Sequence, residues 1–200
     1  MSDPLDAMDY YDRDAAGFAA RYDSVTFDAV HPLLSRYLPA GGQALDIGAG
    51  SGRDARALAA HGLHVTAVEP SSGLRDIGQK RDPAIRWVDD RLPFLTSFAK
   101  AADKYDVILC SAVLMLVAPS DLGPSFGTMA RLLAPGGRLA VNVRRPMPSE
   151  PSNLFTAHSD AAIMAAAGAA DLVCHDRIEI DDALGRTSYR WSNFIFVHAC

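Results

Sequence analysis

The chain has 200 residues, 49% of them hydrophobic and 22% charged, enough apolar matter for one folded unit with a sizeable core. Its net charge of -5 disfavours a surface built to neutralise nucleic-acid phosphates or anionic lipids. The longest apolar stretch, Val107 to Ala118, is too short to span a bilayer.

The N-terminus carries aspartates at positions 3, 6, 9, 12 and 14, unlike the basic start of a signal or transit peptide, so a cytoplasmic location is expected. Helices are predicted over Ala15–Tyr22 and Val30–Tyr37, and residues 1–40 read as a helical lid ahead of a core over 41–200 in a single 1–200 domain. Short apolar runs at Gln43–Ile47, Leu63–Val68, Ala84–Val88, Tyr105–Ser111 and Arg138–Val143 read as strands. Helix candidates alternate with them at Arg53–His61, Gly73–Lys80, Asp121–Leu133 and His158–Gly168, the third stopped by Ala134-Pro135-Gly136-Gly137. That alternation predicts an α/β, doubly wound, Rossmann-like parallel sheet. The tail segments Leu172–Ile180 and Asn193–His198 lack an intervening helix and should form an antiparallel hairpin at a sheet edge.

Cys110, Cys174 and Cys200 are an odd set without close spacing, which suggests neither a disulfide framework nor a zinc site. The histidines show no paired ligand spacing within one element, so no metal is predicted.

The chemistry concentrates where strands end. Asp46-Ile47-Gly48-Ala49-Gly50-Ser51-Gly52 links the first strand to a helix, and glycines there admit a ligand close to the backbone. A dinucleotide fingerprint would want glycine where Arg53 stands, and Asp46 would repel a pyrophosphate while suiting a cationic ligand. Glu69 ends the second strand candidate, seventeen positions after Gly52, where a carboxylate can accept from both hydroxyls of a ribose. Trp87-Val88-Asp89-Asp90-Arg91-Leu92-Pro93 supplies a third strand-end carboxylate, Asp89 or Asp90, for an adenine amino group.

Together these residues resemble the class I S-adenosylmethionine-dependent methyltransferases, from about Tyr11 to the C-terminus. The resemblance implies a seven-stranded sheet with an antiparallel C-terminal edge strand, and S-adenosyl-L-methionine as cofactor. It implies a cofactor site of Asp46, Gly48, Ala49, Gly50, Gly52, Glu69, Pro70, Asp89 or Asp90, and Ser111 or Ala112. It also implies that N-terminal helices bearing Tyr11 and Tyr22 fold over that site. Leu116 stands where many relatives carry a histidine, so no catalytic base is assigned. Tyr11, Tyr22 and His158 are the candidates, with His31 and His175 behind them.

Arg144 and Arg145 follow the fifth strand candidate and could grip an acidic acceptor, although a solvated loop or pairing with Glu150 is the favoured reading. Arg186, Arg190 and Trp191 are read as shaping the hairpin. No insertion is long enough for a substrate cap, which favours a small-molecule methyl acceptor, a lid drawn from the N-terminus, and neither nucleic acid nor membrane as partner. Two competing readings are a non-catalytic S-adenosylmethionine-binding protein and an NAD-dependent oxidoreductase.

Overall fold

A computed structural model describes residues 7–99, 103–147, 150–151 and 153–199. Cys200, Pro148 and the first six residues lie outside the described residues. The N-terminal segment forms α1 (Ala7–Asp12), α2 (Ala15–Asp23) and the single turn α3 (Phe27–Val30). There follow β1 (Gly42–Ile47), α4 (Arg53–Ala60), β2 (Leu63–Val68), α5 (Ser72–Arg81), β3 (Arg86–Val88) and β4 (Tyr105–Ser111). The chain continues with α6 (Leu122–Leu132), β5 (Leu133–Arg144), α7 (Asp160–Ala169), β6 (Leu172–Asp181) and β7 (Arg190–His198).

The seven strands form one sheet in the order β3-β2-β1-β4-β5-β7-β6. Pairings from β3 to β5 are parallel, whereas β7 runs antiparallel to both β5 and β6. The antiparallel strand is thus inserted between its neighbours, and β6 is the edge. Strand order reverses between β1 and β4, the place where open α/β sheets bind ligands beyond their carboxyl ends.

Side-chain alternation divides the core into two layers. Leu45, Ile47, Ile108, Cys110, Leu139 and Val141 pack with Phe126 and Met129 of α6 and Ile163 of α7. On the other face Ala44, Val107, Leu109 and Ala140 meet Ala55 and Leu58 of α4. Each fully buried Leu, Ile or Phe stabilises the fold by about 1.5–3 kcal/mol of transfer free energy. On that second face the residues nearest the carboxyl ends are polar, Asp46 on β1 and Asn142 on β5, both buried.

Several boundaries depart from the sequence expectation. Val30–Tyr37 is not one helix: α3 ends at Val30 and a 3-10 turn spans Leu34–Arg36. Pro32 disfavours helical geometry at His31, which sits at φ -123, ψ 49. The helix expected over His158–Gly168 begins at Asp160, because the Ser159 hydroxyl accepts the Ala162 N–H at 3.1 Å and caps it. Leu133, read as helical, already pairs with Tyr105 in the sheet. Cys110 and Cys174 are free thiols. Among the described residues no helix is long and apolar enough to cross a membrane.

Candidate functional site

A cavity of about 610 Å³ opens over the carboxyl ends of the strands. Gly48, Ala49, Gly50 and Ser51 line it, and the N–H groups of Gly48 and Ala49 both donate to the Val68 carbonyl, at 2.8 and 3.0 Å. The loop is thereby fixed to the end of β2. Gly50 has φ +57, and a Cβ added there would meet nothing within 4 Å. Its bare face is open to the cavity. Gly52 serves another purpose: at φ +82 its added Cβ would lie 2.9 Å from the Trp87 ring, and it does not line the cavity. In this structure Gly52 makes room for indole packing. Gly50→Ala is expected to cost about 1–2 kcal/mol from the left-handed backbone alone, and Gly52→Ala more, because the ring clash is added. Urea denaturation of the two variants checks that ranking.

Glu69 is 5% exposed and lines the cavity at the end of β2. Its two carboxylate oxygens accept separate backbone N–H groups, Oε2 from Gly50 and Oε1 from Ser71, both at 2.8 Å. Burial pushes this carboxyl up to about 7, although the bonds from Ser71 and Gly50 oppose the shift. Pro70 and Ser71 follow it along the wall. Asp90 also lines the cavity and accepts N–H groups from Arg91 and Ser97, at 2.8 and 2.7 Å. Asp89 instead points outward, 67% exposed and paired with Arg75 at 3.0 Å. Of the two aspartates left open by the sequence, only Asp90 is at the cavity. Ser111 and Ala112 lie at the end of β4, also on its wall.

Asp46 is not on the cavity surface. It is 2% exposed, accepts the Ala55 N–H in the first turn of α4, and its Oδ2 has no hydrogen-bond partner. Burial first, and the nearby Asp54 charge second, raise this carboxyl well above the ordinary carboxylate range. Strand alternation turns the side chain under the loop, where it ties β1 to α4.

Beside it lies a buried polar network that sequence reading missed. Asp54 accepts from His31 Nε2 at 2.9 Å and from Arg53 Nε and Nη2, each at 2.7 Å. Asn142 Nδ2 donates to both the Val30 carbonyl and His31 Nδ1, at 3.0 Å each. The Val30 carbonyl can only accept, so the Asn142 amide orientation is set, His31 Nδ1 must accept, and Nε2 carries the hydrogen. Burial opposes ionisation of Asp54, yet His31 and Arg53 hold its carboxyl well below the usual range. His31, 0% exposed, is thus a structural tie between α3, α4 and β5 and not a base. His175 packs on the Tyr37 ring at 5.4 Å, away from the cavity.

The N-terminal helices cover the site. Tyr10, Tyr11, Phe18 and Tyr22 line the cavity and contact one another, with ring centroids 4.9–5.9 Å apart along the chain Tyr10–Tyr11–Phe18–Tyr22. Burial, then Tyr22, raises the Tyr11 phenol well above its ordinary value. Tyr22 is raised by burial too, partly offset by the hydrogen bond from Tyr11 and by Arg21. Both therefore stay protonated at neutral pH, which suits hydrogen bonding and not proton abstraction. Asp12 docks this lid onto α5. It accepts the Ser71 hydroxyl, the Gly73 N–H at 2.9 Å and the Ser72 hydroxyl at 3.3 Å. Its pKa is lowered: slight burial acts upward, and the bonds from Ser71, Gly73 and Ser72 outweigh it. A Cβ on Gly73 would come within 2.8 Å of Ala15, so the lid seats on bare backbone. Asp12→Ala is expected to remove about 1 kcal/mol of capping and to speed amide hydrogen exchange across residues 7–23, with β4 and β5 protected as before.

The other half of the cavity is bounded by Met115 and Leu116 after β4, Arg144 at the end of β5, Leu154, Phe155, and the β6–β7 loop. Arg144, 6% exposed, holds Glu150 through Nη1 and Nη2 at 2.7 and 2.6 Å, so the guanidinium is paired internally. His158 is off the wall: its Nε2 lies 3.0 Å from the Val117 carbonyl, and it is 6% exposed. It is corrected from candidate base to loop anchor. The hairpin contributes more than fold. Asp182, Ala183, Leu184, Arg186 and Trp191 line the cavity, and Asp182 accepts from Arg186 Nε and Nη2 at 2.8 and 2.6 Å and from Trp191 Nε1 at 2.8 Å. The cavity is therefore walled on this side by two segments, the N-terminal helices and this loop.

Residues 18–175 match the family model described as "Methyltransferase domain". Demethylmenaquinone methyltransferase of Clavibacter sepedonicus is 34% identical over 106 residues, which cover 51% of this chain and 41% of that protein. The chain thus spans about two-fifths of the length of the curated relatives it matches. Among solved structures, a TehB-like SAM-dependent methyltransferase of Corynebacterium glutamicum superposes with a TM-score of 0.71 at 16% identity, over 93% of this chain and 98% of the other. The Burkholderia thailandensis 1,6-didemethyltoxoflavin-N1-methyltransferase, solved with 1,6-didemethyltoxoflavin and S-adenosylhomocysteine bound, has a TM-score of 0.68 at 19% identity, over 100% and 94%.

Proposed function

The chain belongs to the methyltransferase-domain family, and from that premise we propose that it binds S-adenosyl-L-methionine and transfers the methyl group to a small-molecule acceptor. The observation that carries this reading is Glu69, a buried carboxylate fixed by two backbone N–H groups beside the open face of Gly50. Each oxygen keeps accepting capacity for a ribose hydroxyl. The unpartnered Oδ2 of Asp46 fits the same group, because a cation bound above the loop favours the ionised form of a carboxyl beneath it.

In this reading Gly48, Ala49 and Gly50 bring the backbone close to the cofactor, Glu69 holds the ribose, and Pro70 and Asp90 bound the adenine end. Ser111 and Ala112 face the methionine end. S-adenosylmethionine, when bound, supplies an electrophilic methyl carbon on a sulfonium. The protein's part is to align an acceptor lone pair opposite the sulfur, and to exclude water with Tyr11, Tyr22 and the β6–β7 loop. Among the described residues no histidine or lysine lines the cavity, and Glu69 is assigned to the ribose, so acceptors that lose their proton readily are favoured. The relatives named for demethylmenaquinone and didemethyltoxoflavin support a small-molecule acceptor.

The test is incubation with methyl-labelled S-adenosylmethionine and a panel of phenols and heteroaromatic N–H compounds. Acceptor-dependent release of S-adenosylhomocysteine with label in the product is expected. Cofactor binding with no transfer to any acceptor would instead favour a non-catalytic binding protein.

A further inference from the structure

We infer that the acceptor is an uncharged molecule with a flat apolar ring body, and that Glu150 is the residue that excludes anionic alternatives. The inference rests on the methyl-transfer reading above and concerns the half of the cavity that reading leaves unassigned. Sheet order divides the space: the loops after β1, β2 and β3, with Ser111 and Ala112 at the end of β4, carry the residues assigned to the cofactor, and the remainder lies over the segment after Ala112, β5 and the hairpin.

The walls of that remainder are apolar and ring-rich. Tyr10 stands edge-on to Phe155, with centroids 5.8 Å apart at 88°, and lies 5.5 Å from Phe18. Met115, Leu116 and Leu154 complete the surface. Ring edges and faces of this kind pack best against another flat ring.

The two arginines at the end of β5 and in the β6–β7 loop are already paired. Arg144 is held at both Nη atoms by Glu150, and Glu150 also accepts the Met147 N–H at 2.7 Å. The Arg144 guanidinium lies 4.5 Å from the Tyr189 ring centroid, and Arg186 lies 4.2 Å from the same ring. Arg186 is in turn held by Asp182. A carboxylate-bearing acceptor could reach the buried Arg144 only by displacing Glu150, which is half-buried and already holds both Nη atoms, so one ion pair is exchanged for another with no net gain. An ammonium-bearing acceptor meets the same obstacle at Asp182 and Glu150, and a further carboxylate of this half, Asp121 at the start of α6, accepts the Ser120 hydroxyl at 3.4 Å. Arg21, on the N-terminal helices, is a further cation of the wall beside Arg53 and Arg91, and its guanidinium lies over the Phe18 ring at 5.5 Å.

The experiment is calorimetric titration of the protein with S-adenosylhomocysteine, then, at saturation, with naphthol, naphthoate and naphthylmethylammonium as isosteric probes of charge. Wild-type protein is expected to bind naphthol about tenfold or more tightly than either ion. Glu150→Gln, which frees the guanidinium, is expected to gain about tenfold for naphthoate, and the added Arg144→Met change to abolish that gain. Naphthoate or the ammonium probe equalling naphthol on wild-type protein would overturn the inference, as would failure of naphthol to bind or of the folded Glu150→Gln protein to gain. If the Glu150→Gln protein does not fold, seen as lost S-adenosylhomocysteine binding, the wild-type ranking decides alone. Absence of S-adenosylhomocysteine binding to wild-type protein would instead contradict the cofactor reading, in the first titration and separately from the probes.

Discussion

Glu69→Gln is expected to weaken S-adenosylmethionine binding by roughly one to two orders of magnitude, because two charge-assisted bonds are lost and one backbone N–H meets an amide NH₂. The wild-type protein adds a pH signature. Burial raises this carboxyl from 4.5 to about 7, and ribose hydroxyls donated to the ionised form would stabilise that form. Affinity should therefore rise with pH up to about 7 and then level off, and binding below that point should take place with proton release. Stability of the ligand-free protein moves the opposite way. Between the unfolded value and about 7 the folded state holds a proton that the unfolded chain has released, so stability falls as pH rises through that window. At about 1.4 kcal/mol per unit the total is about 3 kcal/mol. The wild-type minus Glu69→Gln difference, measured by urea denaturation at about pH 5 and about pH 8, isolates this term. A difference that stays flat with pH would show that Glu69 is ionised throughout.

Asp54→Ala should be the most destabilising single change at the site. Three donors converge on that carboxylate from His31 and Arg53, and His31 is fully buried. Removing the acceptor leaves the His31 N–H unsatisfied and the largely buried Arg53 guanidinium without its counter-charge, holding only the Tyr22 carbonyl at 3.1 Å, at a cost of about 3–5 kcal/mol, a large part of an ordinary folding free energy. Thermal unfolding should shift down by roughly 10 °C for a chain of this length. Asp54→Asn keeps an acceptor for His31 Nε2 and should lose less. The sign with pH follows from the depressed pKa: the stabilisation is present above the unfolded value of 3.8 and is lost as pH falls below it. A loss under about 1 kcal/mol for Asp54→Ala would mean that the network does not hold the α3–α4 junction.

The sheet could be read from the chain because parallel strands announce themselves as short apolar runs, and the Gly48–Ser51 loop and Glu69 because chemistry at strand ends has a fixed spacing. Orientation was harder. Leu45 and Ile47 face one layer and Asp46 the other, so alternation alone could have turned Asp46 away from the cavity. The choice between Asp89 and Asp90 needed the outward pairing with Arg75, which no local pattern carries. His31, Asp54 and Asn142 were invisible for a different reason. They are 23 and 111 residues from one another along the chain, and only folding brings them into one network. The same holds for Arg186 and Trp191, which looked like hairpin residues because their contribution to the cavity depends on β7 being inserted beside β5.

Titration of the wild-type protein with S-adenosylmethionine and, in parallel, with NADH tests the central claim most directly. Micromolar binding of the sulfonium ligand, with a pH dependence centred near neutrality and no heat from NADH, is the expected result. Binding of NADH in its place would contradict the account, because the Gly48–Gly52 loop and Glu69 would then be serving a pyrophosphate-bearing ligand.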